Sequence, residues 1–129
     1  MSNREERMGK RILVVEDEPD QLTTLKFRLE ANGYEVISAS DGEEGLAKAQ
    51  KEHPDLILLD IMLPKMDGFE VCRRLKQDKS TSSIPVIGLT AYGRQYGEDK
   101  ARAAGVNDYM DKAYEPKDLI ARINSLLNK

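Results

Sequence analysis

Five short apolar runs punctuate this chain, and each is followed by a longer segment whose apolar residues recur at helical spacing. The first run, Arg11 to Val15, is too short for a helix and rich in Ile and Val, which marks a buried strand. Pro19 to Ala31 then carries Leu22, Leu25 and Leu29 on one helical stripe, and Asn32-Gly33 stops it. Tyr34 to Ser38 reads as a second strand. Asp41 is placed to cap a helix from Gly42 to about Glu52 that ends at Pro54. Leu56 to Leu59 is apolar throughout, as a central strand covered on both faces must be. Asp67-Gly68 opens a third helix, with Phe69, Cys72 and Leu75 on its stripe. Ile84 to Leu89 is a fourth strand. Gly93 to Ala104 reads as a weaker helix interrupted by Gly97, and Val106 to Met110 as a fifth strand. Pro116 suits a first helical turn ahead of Leu119, Ile120, Ile123, Leu126 and Leu127.

Strand-then-helix repeated five times predicts an α/β fold, because right-handed crossovers leave few other topologies. The expectation is a doubly wound, five-stranded parallel sheet with five helices, in the flavodoxin-like order 2-1-3-4-5. The 129 residues suffice for one domain with a real core. Residues 10–129 are assigned to it and residues 1–9 to a flexible leader without the apolar stretch of a signal peptide. No run approaches the roughly 20 apolar residues of a membrane helix. The net charge of -3, from 20 basic and 23 acidic residues, offers no basic stripe for a phosphate backbone. A single cysteine, Cys72, forms no internal disulfide and fits a reducing, cytoplasmic setting.

In such a sheet, ligands bind beyond the carboxyl ends of the strands. There the sequence places Glu16, Asp17 and Glu18 after strand one, Asp60 after strand three, Thr90 and Ala91 after strand four, and Asp111 and Lys112 after strand five. Glu16, Asp17 and Asp60 would repel one another unless a cation joined them, and a hard divalent ion such as Mg2+ suits oxygen ligands that leave room for phosphate. Lys112 and the Thr90 hydroxyl would meet a phosphoryl group from the other side, and an aspartate can carry one. Each residue alone has an ordinary reading: a loop carboxylate, a turn hydroxyl, a solvated lysine. Their joint placement on four strand ends is what argues for a site. Glu18 and Asp20 read as helix N-terminal charges. His53 and Cys72 read as structural, and no Gly-rich phosphate cradle occurs.

Four blocks of sequence then resemble the receiver domain of two-component response regulators, and the resemblance covers about Lys10 to Leu127. They are Ile12-Leu13-Val14-Val15-Glu16-Asp17-Glu18, the stretch Leu58 to Gly68, the stretch Pro85 to Ala91, and the stretch Ala104 to Lys112. The resemblance implies that Asp60 is the phosphoacceptor, supplied from a phosphohistidine of a histidine kinase or phosphotransfer protein. It implies Mg2+ held by Asp17 and Asp60, by Glu16 through water, and by the backbone carbonyl of Met62. Lys112 would pair with phosphoryl oxygens. Thr90 would be the switch hydroxyl with the Ala91 amide beside it, and Tyr109 the aromatic that turns inward with it. Such a domain is no ordinary enzyme, since it catalyses only its own phosphoryl transfer and loss. No output domain follows Leu127, so the expectation is a stand-alone switch, monomeric or weakly dimeric, acting on a protein target, or a receiver whose effector has been excised. One departure stands out: Ala113 follows Lys112 where the family usually has a proline in a cis peptide. A cis bond before a non-proline residue costs about 3–4 kcal/mol, so a trans peptide is expected, in a more mobile loop. The alternatives are a pseudo-receiver that binds proteins without phosphorylation and a Mg2+-dependent phosphatase, which would carry its aspartate nucleophile after strand one.

Overall fold

The computed structural model describes residues 9–93 and 95–128, so the expected leader lies outside the described residues except for Gly9. The chain alternates β1 (Arg11–Val15), α1 (Pro19–Ala31), β2 (Glu35–Ala39), α2 (Gly42–Glu52), β3 (Leu56–Asp60), α3 (Gly68–Gln77), β4 (Val86–Thr90), α4 (Glu98–Ala104), β5 (Asp108–Asp111) and α5 (Pro116–Leu127). The strands form one parallel sheet in the order β2-β1-β3-β4-β5, as the alternation predicts. The fold is the flavodoxin-like one.

Side-chain alternation along the strands divides the interior in two. Leu13, Val15, Ile57, Leu59 and Val86 point to one face, where they pack on Ala49 of α2 and on Val71, Cys72 and Leu75 of α3. Ile12, Val14, Leu56, Leu58, Ile87 and Leu89 point to the other, against Leu25 and Leu29 of α1 and Leu119 and Ile123 of α5. Burying each such large aliphatic side chain stabilises the fold by roughly 1.5–3 kcal/mol. Beyond Arg11 at the start of β1, the central strands therefore carry no polar side chain until the chemistry begins at the carboxyl edge.

The helix starts follow from local chemistry. The Glu18 carboxylate accepts from the Asp20 amide at 3.3 Å, so Glu18 caps α1. Asp41 and Asp67 cap α2 and α3 through the amides of Glu44 and Glu70, at 2.8 and 3.0 Å. His53 closes α2 in the left-handed conformation and is exposed, which is the structural role expected of it.

Several boundaries differ from the sequence reading. The fourth strand begins at Val86 rather than Ile84, because the Ile84 amide is spent in a turn on Thr81 and Pro85 has no N–H to give. The second starts at Glu35, since the Tyr34 amide closes α1 on the Leu29 carbonyl. The fourth helix starts at Glu98, not Gly93: Gly97 has φ 69°, outside the helical region, and supplies no capping side chain. Among the described residues no peptide bond is cis, and the Lys112–Ala113 link is trans as expected. No described helix is long and apolar enough to cross a membrane.

Candidate functional site

The strand ends gather the carboxylates. Glu16 follows β1 and is 2% exposed, Asp60 closes β3 and is 4% exposed, and Asp17 stands open to solvent. Oxygen atoms of Glu16, Asp17 and Asp60 lie within 4.8 Å of one another. Such an all-oxygen donor set suits a hard divalent cation and no soft metal. The electrostatics agree. Burial pushes the Glu16 carboxyl above its ordinary value, and the neighbouring charge of Asp60 adds to this. Hydrogen bonds from Lys112 and from the Glu18 amide pull against it.

Both Asp60 oxygens are held. Oδ1 accepts from the Met62 amide at 3.0 Å, and Oδ2 lies 3.3 Å from the Lys112 ammonium. The carboxylate is thus oriented by a backbone amide on one side and a cation on the other. The Met62 side chain itself is exposed. Lys112 emerges from β5 with its amide donating to the Thr90 carbonyl at 2.7 Å, which fixes the base of its side chain. The Ala113 amide donates to Asp111 Oδ1 at 2.7 Å, a short Asx turn that holds the loop where the family's proline would stand. At its tip, the Lys112 ammonium donates to Glu16 Oε1 at 2.9 Å and to Gln21 Oε1 at 2.7 Å. Burial works to lower the ammonium's pKa, but its bond to Glu16 and the charges of Asp60 and Glu16 outweigh this and hold it above the ordinary value.

Gln21, in the first turn of α1, joins the site without a signal in the sequence. It sits 91 positions from Lys112, and a glutamine on a helix surface carries no pattern of its own. It lines, with Lys112, Thr24, Arg28 and Tyr114, a cavity of about 410 Å³ between α1 and the loop before α5.

Thr90 is fully buried at the end of β4, and its hydroxyl accepts from the Tyr92 amide at 3.2 Å. Ala91 between them is exposed. Tyr109 pairs with Gly88 on β4, two positions before the Thr90–Asp111 pair. Its ring is buried beside Ile61 and Phe69, with ring centroids 6.4 Å apart for the aromatic pair. Its hydroxyl donates to the Tyr96 carbonyl. Burial raises the phenol's pKa, and the nearby Thr90 hydroxyl opposes this. Gly88 of β4 makes room for that ring: a Cβ there would stand 3.1 Å from Tyr109 Cδ1.

One further glycine bears on the site. The Gly68 amide donates to the Ile61 carbonyl at 2.9 Å. A Cβ at Gly68 would lie 2.6 Å from the Asp60 carbonyl oxygen and 2.6 Å from Ile61 Cα. The start of α3 is thus seated directly on the backbone that carries Asp60.

Comparison with known proteins points one way. The profile of the family described as "Response regulator receiver domain" matches residues 12–124. The chain is 47% identical over 122 residues to the alkaline phosphatase synthesis transcriptional regulatory protein PhoP of Bacillus subtilis, covering 95% of this chain and 50% of that protein. It superposes on a putative response regulator of Chloroflexus aurantiacus with a TM-score of 0.88 and 35% identity, covering 93% of this chain and 98% of the other. It is equally similar in fold to the receiver domain of the sensor histidine kinase PA1611 of Pseudomonas aeruginosa, solved with a magnesium ion in its active-site cleft, at TM-score 0.87 and 30% identity over 94% and 99% of the two chains. The chain spans about half the length of the curated relatives it matches.

Proposed function

The chain belongs to the response regulator receiver domain family, and on that footing we propose that it takes a phosphoryl group onto Asp60 and switches a protein-binding surface in response. The observation that carries this reading is the meeting of Glu16, Asp17, Asp60 and Lys112 at one end of the sheet, with both Asp60 oxygens already oriented.

The donor is a phosphohistidine of a histidine kinase or phosphotransfer protein. An Asp60 oxygen attacks phosphorus, the O–P bond forms, the N–P bond breaks, and the histidine leaves with the bonding pair. Glu16, Asp17, Asp60 and the Met62 backbone carbonyl are the residues that would hold Mg2+, which when bound draws off charge from the phosphoryl oxygens. Lys112 turns from its carboxylate partners to a phosphoryl oxygen. Positioning and charge neutralisation of this kind supply most of the catalysis in phosphoryl transfer.

The same event operates the switch. A phosphoryl group on Asp60 offers new acceptors to the Thr90 hydroxyl and the Ala91 amide. Tyr109 lies on β5 beside the end of β4 that carries Thr90, and its hydroxyl holds the Tyr96 carbonyl ahead of α4, so movement of Thr90 reaches the α4 side of the domain. The phosphoryl group then shifts a two-state population by its differential contacts. The relatives named as transcriptional regulators suggest an effector as the recipient, in the same chain or a separate protein, within the cytoplasm.

The test is intact mass after incubation with Mg2+ and acetyl phosphate. The wild type gains one phosphoryl group and Asp60→Asn gains none. A wild type that neither gains mass nor binds Mg2+ returns the pseudo-receiver reading to the front.

A further inference from the structure

We propose that Gln21 is a positioning residue for Lys112, its side-chain oxygen keeping the ammonium at the phosphoryl pocket once a divalent cation engages the carboxylates. This rests on the receiver reading above and deepens it.

The Lys112 ammonium has three oxygen neighbours on three elements: Glu16 Oε1 at 2.9 Å, Asp60 Oδ2 at 3.3 Å and Gln21 Oε1 at 2.7 Å. An ammonium has only donors, so the Gln21 amide must present its oxygen to it. Glu16 and Asp60 are two of the three carboxylates that fit a metal, whereas Gln21 is a neutral amide on α1. A divalent cation at that cluster competes with Lys112 for both carboxylates and repels it as a like charge. Gln21 is neutral and is not one of those carboxylates, so its grip on the lysine survives. Being neutral, it also yields the ammonium to a phosphoryl oxygen more readily than a carboxylate would.

The surroundings make such a holder necessary. The cavity of about 410 Å³ beside Gln21 and Lys112 leaves open space into which a released lysine can swing. The backbone at Lys112 is fixed by the Thr90 carbonyl and the Asp111 turn, but those bonds do not reach the side-chain tip. A lysine stem has several rotatable bonds, and holding its end in one place costs entropy that a bound acceptor offsets.

The experiment compares wild type, Gln21→Met (similar in length, with no acceptor) and Gln21→Glu (acceptor restored). Lysine-labelled protein is followed by NMR of the Lys112 ammonium, with and without Mg2+, and phosphoryl uptake from acetyl phosphate is timed at saturating Mg2+. The expected result is a Lys112 signal that stays protected in all three proteins without Mg2+. With Mg2+ it persists in wild type and Gln21→Glu and is lost to solvent exchange in Gln21→Met. Uptake by Gln21→Met slows about three- to tenfold, the scale of one charge-assisted hydrogen bond at a partly exposed position. An altered fold would disturb the metal-free signal too, which the first measurement detects. Should Gln21→Met match wild type in both the Mg2+-bound signal and the rate, the inference is overturned and the receiver reading stands. Should the wild type itself take up no phosphoryl group and bind no Mg2+, the receiver reading fails and this inference with it.

Discussion

Replacing Gly68 by alanine adds a methyl group where the backbone after Asp60 already sits. The new carbon would stand 2.6 Å from the Asp60 carbonyl oxygen, 2.6 Å from Ile61 Cα and 2.9 Å from Ile61 Cδ1. Carbon contacts settle at about 3.5–4.0 Å, so α3 and the end of β3 must part by about 1 Å. Neither side yields cheaply. Ile61 is fixed through its amide to the Leu89 carbonyl at 2.9 Å, and through its carbonyl to the Gly68 amide at 2.9 Å. Overpacking of this kind costs about 1–3 kcal/mol, against which the better helix propensity of alanine returns at most about 1 kcal/mol. The larger consequence falls on chemistry. A displacement of about 1 Å at a reacting group can cost on the order of 100-fold in rate, and here the group is the Asp60 carboxylate. Urea titration gives the stability change, and timed phosphoryl uptake from acetyl phosphate gives the rate per folded molecule. Gly42→Ala serves as the control, because the nearest atoms to its Cβ are Val71 Cγ2 at 2.8 Å and the Met66 carbonyl oxygen at 3.2 Å, neither of them on Asp60 or Ile61. It should lower stability and spare the rate. If Gly68→Ala keeps both wild-type stability and wild-type uptake, the seating of α3 on the Asp60 backbone does not position the carboxylate, and the argument fails.

Three other expectations follow from the geometry. Burial pushes the Cys72 thiol up to about 11, so at pH 8 the native protein should resist iodoacetamide and react only once unfolded in urea; rapid native alkylation would refute this. Gly97→Ala combines φ 69° with a Cβ 2.6 Å from Phe69 Cζ, and should cost about 1–2 kcal/mol for the left-handed backbone alone, read as a lower urea midpoint. Glu16 has a carboxyl pKa raised mainly by burial, so the folded state binds its proton more tightly than the unfolded chain does. Its charged form therefore subtracts stability at neutral pH, and the loss is recovered as pH falls through the raised folded value towards the ordinary 4.5. Without metal, Glu16→Gln should be more stable than wild type at pH 7, with the difference shrinking towards pH 4.5 in paired urea titrations; a pH-independent difference would contradict it.

The strand-helix alternation and the residues at the strand ends were legible in the sequence because both are local signals. An Ile-Leu-Val-Val run and the acidic pair after it need no knowledge of the rest of the chain. What escaped was set by distant partners. Gly97 lay inside an otherwise helical stretch, and only its left-handed backbone against Phe69 shows that α4 starts after it. The start of β4 depended on a turn closed by Thr81. Gln21 was invisible because its meaning comes wholly from Lys112 across the fold. From the sequence Gly68 reads only as a helix start, whereas its lack of a side chain is required by the Asp60 backbone beneath it.

The sheet that carries the site also acts as a partition. Leu75 of α3 and Leu119 of α5 are both fully buried, yet each belongs to a different half of the interior with the strands between them. Substitutions at sites without shared partners add to within about 0.5 kcal/mol. Leu75→Ala and Leu119→Ala should therefore sum in the double variant, whereas pairs within one half should not. For redesign, the α2–α3 side can be repacked without renegotiating the α1–α5 side. At the carboxyl rim, by contrast, one side chain spans several elements: Lys112 joins α1 to the ends of β1 and β3.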